Sequence, residues 1–187
     1  MNEIFIEAES FNDLGGWTVD QQSIEVIGSS YVMAHGLGKP VADTKSVFNV
    51  NSDGEYAVYA LTRDWTAVWG VKDSAGKFLI KIDGKTLPVT LGTKGKDWAW
   101  QKAGSVSLKS GVHSIALHDL TGFNGRCDAV YITDGESPSN EPSEIESLRK
   151  RLNYKEVYDC GEEFDLIVCG GGVAGTCTAL KIGRAHV

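Results

Sequence analysis

The residues whose types and spacing point most directly to chemistry are three glycines near the end of the 187-residue chain. The apolar run Leu166–Cys169 is typical of a strand buried on both faces, and Gly170-x-Gly172-x-x-Gly175 follows it directly. In such a turn the first glycine permits a tight bend, the second lets the backbone approach a pyrophosphate, and the third lets a helix lie close on the strand. The spacing predicts a dinucleotide site. The alternative is a glycine-rich strand–helix connection without a ligand.

Residues 165–175 resemble the N-terminal fingerprint of FAD-dependent oxidoreductases. The three consecutive glycines and the alanine before the last glycine are more similar to FAD proteins than to NAD proteins. The resemblance implies that the intact parent is an enzyme that binds FAD and uses its isoalloxazine ring for hydride chemistry. It leaves the catalytic residues unidentified. The cofactor-binding residues that it implies are Gly170, Gly171, Gly172, Val173, Ala174 and Gly175.

The chain ends too early to complete a flavin domain. Only 23 residues remain from the aspartate that opens the fingerprint, fewer than the roughly 30 of one βαβ unit. We therefore expect residues 163–187 to be the first β–α unit of a truncated Rossmann-type domain, inactive in this chain alone. Residues 182–187 break the helical pattern, and we hypothesise that this tail is artefactual, so that Arg184 and His186 carry no chemistry.

Residues 1–134 have the pattern of an all-β domain. Short runs rich in β-branched and aromatic residues alternate with turn formers, and no long segment has helical periodicity. The Asp83-Gly84 pair between two runs is typical of a hairpin turn. The pattern predicts an antiparallel jelly-roll β-sandwich. The predicted strands are residues 3–9, 23–27, 46–50, 56–61, 77–82, 86–91, 97–101, 104–108, 112–118 and 127–133.

Residues 135–162 are predicted to be a linker with a short helix. The first eight residues are turn-forming and polar and include two prolines. Ser143 is placed to cap a helix over Glu144–Asn153. The basic triplet at residues 149–151 is interpreted as a solvated helix end, favoured by the helix dipole, rather than as a nucleic-acid contact.

Three carboxylates are candidate metal ligands. The opening Phe-Ile-Glu-Ala-Glu run resembles the first strand of galactose-binding-like jelly rolls, including many carbohydrate-binding modules. In those domains a Glu-x-Glu pair and an aspartate on the last strand often bind a structural calcium ion. The matching residues are Glu7, Glu9 and Asp128, and carboxylate oxygens suit Ca²⁺. The alternative is that these carboxylates face solvent or pair with Arg63 or Arg126.

Four of the five tryptophans form two pairs along the chain. Trp65 and Trp69 lie in a predicted loop, where they could stack on a sugar ring or dock on a flavin domain, and we favour packing or docking. Trp98 and Trp100 point to one face of a predicted strand. They are interpreted as packing residues rather than a sugar platform.

Segments 62–65, 98–101 and 118–129 resemble the jelly-roll domain attached to certain bacterial FAD-dependent oxidoreductases, some of which carry a xanthan lyase label. The resemblance implies an accessory sandwich that docks on its own flavin domain, with a small-molecule or carbohydrate substrate. Within it, His118-Asp119 is interpreted as a strand-end hydrogen-bonding pair, because no nucleophile motif accompanies it. The alternative hypothesis is a carbohydrate-binding module with Trp65 and Trp69 as its platform.

Composition excludes several classes of function. Eighteen basic and 25 acidic residues give a net charge of −7, which argues against nucleic-acid binding. No apolar run reaches about 18 residues, so no membrane span is predicted. The four cysteines form no CxxC pair, which argues against a disulfide scaffold or a zinc site. The start of the chain lacks signal-peptide features, and a cytoplasmic location is expected.

Overall fold

Eleven strands and three α-helices make up the described part of the chain. The computed structural model describes residues 1–153, 161–168 and 170–183, and the chain divides into two units, Met1–Tyr154 and Lys155–Val187. The strands are β1 Glu3–Glu7, β2 Trp17–Asp20, β3 Tyr31–His35, β4 Thr44–Val50, β5 Gly54–Thr62, β6 Phe78–Ile82, β7 Lys85–Thr86, β8 Ala99–Leu108, β9 Gly111–Asp119, β10 Phe123–Cys127 and β11 Ala129–Thr133. The helices are α1 Ile24–Ile27, α2 Pro142–Asn153 and α3 Val173–Gly183.

The first unit is an antiparallel β-sandwich of jelly-roll type, as predicted. The first sheet has the strand order β1-β11-β5-β8, and the opposing layer consists of the sheets β4-β9-β6-β7 and β10-β3-β2. The alternation along β4 shows why the sequence forms these strands: every second side chain from Thr44 to Val50 is buried and the others are exposed. The buried side chains of both layers form one core, which includes Val58, Ile80 and Ile115.

A second apolar cluster covers the outer face of the first sheet. Phe5, Trp100 and Tyr131 lie in this cluster, and Ile145 of helix α2 packs against them. All five side chains of β11 are buried, because one face meets the core and the other meets this cluster. Trp98 and Trp100 are 9% and 8% exposed, which confirms that they are packing residues.

Helix α1 and the start of helix α2 differ from the predicted elements for local reasons. Residues 23–27 form the short helix α1, which Gly28 ends at a positive φ of 80°. Strands β2 and β3, on either side of it, were not predicted. Helix α2 begins at Pro142, and proline favours the first helical position because it lacks an N–H, so Ser143 lies inside the helix rather than before it.

The described residues of the second unit do not contain the predicted strand of the β–α unit. Leu166 and Ile167 are 59% and 67% exposed and, with Val168, form no strand among the described residues. A strand needs a hydrogen-bonding partner, and no second strand is described here. Helix α3 does form, and it continues through Gly183 rather than breaking at residue 182. Residues 184–187 lie outside the described residues, so the artefactual tail stays a prediction.

None of the described helices is both long and apolar enough to span a bilayer.

Truncation of a core residue should destabilise the sandwich far more than truncation of a surface residue on the same strand. Ile115 is 1% exposed and Val112 is 72% exposed, both on β9. We expect Ile115→Ala to cost about 2–5 kcal/mol of unfolding free energy and Val112→Ala less than about 0.5 kcal/mol. Urea unfolding measures both, and equal losses would contradict the assigned register.

Candidate functional site

The loops after β3, β5 and β9 meet at one end of the sandwich. The Gly36 N–H donates to the carbonyl oxygen of Gly122 at 2.9 Å, and the indole N–H of Trp65 donates to the carbonyl oxygen of Phe123 at 3.0 Å. Gly122 has a φ of +62°, and a Cβ there would lie 1.8 Å from the carbonyl oxygen of Lys39. Glycine is therefore required where these loops cross.

Asp119 and Asp64 hold these loops in place. Asp119 is 1% exposed, and its carboxylate accepts the N–H groups of Val41 at 2.9 Å and Gly122 at 2.8 Å. Asp64 accepts the N–H and hydroxyl of Thr66. Buried carboxylates that accept backbone N–H groups fix the conformation of a loop. The side chains carried by the loops after β5 and β9 therefore have defined positions.

Three aromatic side chains on these loops form what we call the aromatic platform: Trp65, Trp69 and Phe123. The rings of Trp65 and Phe123 are nearly parallel, at 29°, with centroids 5.6 Å apart. The ring of Trp69 meets Trp65 edge-on at 5.5 Å. Trp69 is 68% and Phe123 44% exposed, whereas Trp65 is half-buried. Trp65 therefore supports two rings that face outward.

Polar groups border the aromatic platform. Nδ1 of His35 lies 2.7 Å from Oδ1 of Asn124, and Asn124 has a φ of +60°. The guanidinium of Arg126 lies 5.4 Å from the ring centroid of Trp65, and burial lowers the pKa of Arg126. The platform thus combines apolar ring faces with groups that can exchange hydrogen bonds with a ligand.

Sequence reasoning found only part of this site. Trp65 and Trp69 were singled out, but Phe123, His35 and Asn124 were not. A signal was present for two of them, since Phe123 and Asn124 follow Gly122 in a turn. The predicted His118-Asp119 pair does not form, because His118 bonds to Asp43 at 2.7 Å and Asp119 organises the loops.

The three predicted carboxylates lie together in a second place, which we call the carboxylate cluster. Glu7 ends β1, Glu9 lies in a short 3₁₀ turn after it, and Asp128 joins β10 to β11. Oxygen atoms of these three side chains lie within 4.8 Å of one another. Burial raises the pKa of Glu9 to about 8 and that of Asp128 to about 7.

Arg149 of helix α2 inserts its guanidinium into the carboxylate cluster. Its Nε donates to Oε1 of Glu7, its Nη2 to Oδ2 of Asp128 and its Nη1 to the carbonyl oxygen of Ile27, each at 2.6 Å. The Arg149 side chain is only 3% exposed. Its interpretation as part of a solvated helix end is therefore wrong. Among the described ion pairs the cluster's partner is Arg149, rather than Arg63 or Arg126.

Solved structures with the same fold include carbohydrate-binding modules. A family 35 module from Clostridium thermocellum matches with a TM-score of 0.56 and 16% identity, covering 72% of this chain and 100% of the module. The C-terminal family 6 module of a laminarinase from Zobellia galactanivorans matches with a TM-score of 0.52 and 19% identity, covering 71% and 100%. A Podospora anserina mannanase with a family 35 module matches with a TM-score of 0.55 and 18% identity, covering 72% of this chain and 28% of its own.

No protein-family model matches the chain, and no curated protein is similar enough to count as a relative. The chain therefore shares a fold with carbohydrate-binding modules, and at this level of identity the likeness extends to the fold alone.

The interpretation of the chain as part of an FAD-dependent oxidoreductase is wrong. The structures that share its fold include isolated carbohydrate-binding modules, which are not oxidoreductases. The identification of the parent as an FAD enzyme is overturned with it, and docking of the sandwich on a flavin domain loses its basis. The binding of a dinucleotide phosphate by residues 170–175 stays a prediction.

Trp69 should dominate the quenchable fluorescence of the protein, because it is the most exposed of the five tryptophans, at 68%. We expect Trp69→Phe to remove most of the emission that acrylamide quenches, and Trp98→Phe to leave the intensity of the quenchable emission unchanged, since Trp98 is buried. Stern–Volmer titrations of both variants measure this. Quenchable emission of wild-type intensity in Trp69→Phe would contradict the exposed position of the ring.

Proposed function

We propose that the β-sandwich is a carbohydrate-binding module whose ligand stacks on the aromatic platform. The observation that carries the proposal is the pair of outward-facing rings, Trp69 and Phe123, held on a fixed loop end beside polar groups. The fold shared with carbohydrate-binding modules supports it. This is a binding function, in which no bond of the sugar is broken.

The chemistry of a pyranose ring suits this surface. One face of such a ring carries C–H groups and packs on an aromatic ring, while its hydroxyl groups need hydrogen-bonding partners at the edge. Trp69 and Phe123 offer the ring faces. His35, Asn124 and Arg126 border the platform with groups that donate and accept hydrogen bonds.

The arrangement of the rings favours a short segment or chain end over a long flat glycan. The rings of Trp69 and Trp65 are at 81° to each other, so they form a corner. A row of coplanar rings would instead suit the flat surface of a crystalline polysaccharide. We therefore expect the module to bind soluble oligosaccharides.

The predicted calcium ion does not fit the carboxylate cluster while Arg149 is in it. The donor set of Glu7, Glu9 and Asp128 has the hard oxygens that calcium prefers. However, the guanidinium already occupies one oxygen each of Glu7 and Asp128 at 2.6 Å. A divalent cation placed beside it would add strong like-charge repulsion in a buried site.

Removal of the Trp69 ring should weaken glycan binding. We expect Trp69→Ala to lower the association constant about tenfold or more, which corresponds to about 1.4 kcal/mol of lost stacking. Trp69→Phe keeps an aromatic face and should retain most of the affinity. A glycan array identifies the ligand, and isothermal titration with that oligosaccharide measures the constants.

The matched control is Val112→Ala, which truncates an exposed apolar side chain on β9 rather than on the platform. Its affinity should equal that of the wild type. Either a wild-type protein that binds no glycan or a Trp69→Ala variant with wild-type affinity would refute the proposed platform.

A further inference from the structure

The carboxylate cluster is built like a cation site, but its cation is a side chain. Three carboxylates from β1, the turn after it and the β10–β11 junction surround one guanidinium. Arg149 also donates to the carbonyl oxygen of Ile27 in helix α1. It therefore joins separate elements through carboxylate and carbonyl oxygens, the ligand types that a hard divalent cation uses.

The guanidinium does not use all the acceptors of the cluster. Oε2 of Glu7 and Oε2 of Glu9 are buried and have no hydrogen-bond partner among the described residues. Buried carboxylate oxygens without a donor are costly. The cluster thus has more buried carboxylate oxygens than one arginine satisfies.

Arg149 also fixes the position of helix α2. The apolar stripe of this helix consists of Ile145, Leu148 and Leu152, and only Ile145 is fully buried. The guanidinium adds a contact 5.7 Å above the ring of Phe5. A second ion pair between helix α2 and the strands joins Arg151 to Glu3, where the arginine side chain is 53% exposed.

We propose that Arg149 is a built-in replacement for a divalent cation at the carboxylate cluster, so that the sandwich needs no bound metal ion while helix α2 is docked. The corollary is that the cluster becomes a divalent-cation site once Arg149 is removed. This inference does not rest on the proposed glycan binding, because no residue of the platform belongs to the carboxylate cluster.

Thermal unfolding of the full chain with EDTA or with excess CaCl₂ tests the proposal. The wild type should have the same Tm in both. Arg149→Met leaves the carboxylates without a counter-charge, and removal of one partner of a buried ion pair should lower the Tm in EDTA by roughly 10 °C. CaCl₂ should restore a large part of that loss, and isothermal titration should show calcium binding by this variant and none by the wild type.

Two variants assign the effects to the cluster. Arg151→Met makes the same substitution on the same helix at an exposed ion pair, and its Tm should fall by less than about 4 °C with no calcium response. Arg149→Met/Glu7→Gln removes one carboxylate as well. The Tm of this double variant in EDTA should be higher than that of Arg149→Met, and calcium should raise it less. If Arg149→Met alone does not fold, the double variant is the protein to test.

Three results would overturn the proposal. The first is a wild-type Tm that rises with calcium as much as that of Arg149→Met. The second is Arg149→Met with wild-type stability in EDTA. The third is a set of Arg149 variants that neither bind calcium in the titration nor gain stability from it.

Discussion

The first sheet carries buried side chains on both of its faces, and much of the structure follows from this constraint. Its inner face meets the opposing sheets, as in any sandwich. Its outer face carries Phe5, Trp100 and Tyr131, which would form a large exposed apolar surface if nothing covered them. Helix α2 covers them, so the helix predicted within the linker packs on the sandwich.

Helix α2 has a narrow apolar stripe and buries little apolar surface against the first sheet. The buried ion pairs of Arg149 therefore help to hold it on the sheet. The ion pairs with Glu7 and Asp128 are buried, so they lose the solvation of three charges in forming. The ion pairs therefore determine where the helix lies as much as how stable the fold is. In this position the guanidinium donors of Arg149 reach Glu7, Asp128 and the carbonyl oxygen of Ile27. That position sets the register of helix α2 on the sheet.

The sequence predicts the elements whose signal is local and periodic. β4, β5, β6 and β9 alternate with period two, and each was located to within a few residues. The burial of Trp98 and Trp100 was also predictable from their spacing. The role of Arg149 was not, because a basic residue near a helix end is usually solvated and its partners lie 142 and 21 residues away. Phe123 was missed for a similar reason, since its neighbours come from another loop.

The assignment to an FAD-dependent oxidoreductase shows the opposite error, in which one local motif was given too much weight. Residues 165–175 match a fingerprint whose meaning depends on strands beside it, and the described residues of that unit contain a helix and no strand. The fold shared with the carbohydrate-binding modules lies instead in residues 1–134, which were predicted to be an accessory domain. A short motif specifies a cofactor only when the surrounding fold is present.

Strand β10 connects the two sites of the sandwich. Phe123 and Asn124, at its start, belong to or border the aromatic platform, and Asp128 follows its end in the carboxylate cluster. Five residues of extended strand span about 16 Å, at roughly 3.3 Å per residue. The guanidinium of Arg126, midway between them, lies 5.4 Å from the ring centroid of Trp65 and 5.9 Å from that of Tyr31. Because Arg149 anchors Asp128 and Asp119 anchors the loop before Phe123, β10 is held at both ends. The rings of the platform are thereby held in defined positions, which reduces the entropy cost of the glycan binding that we propose.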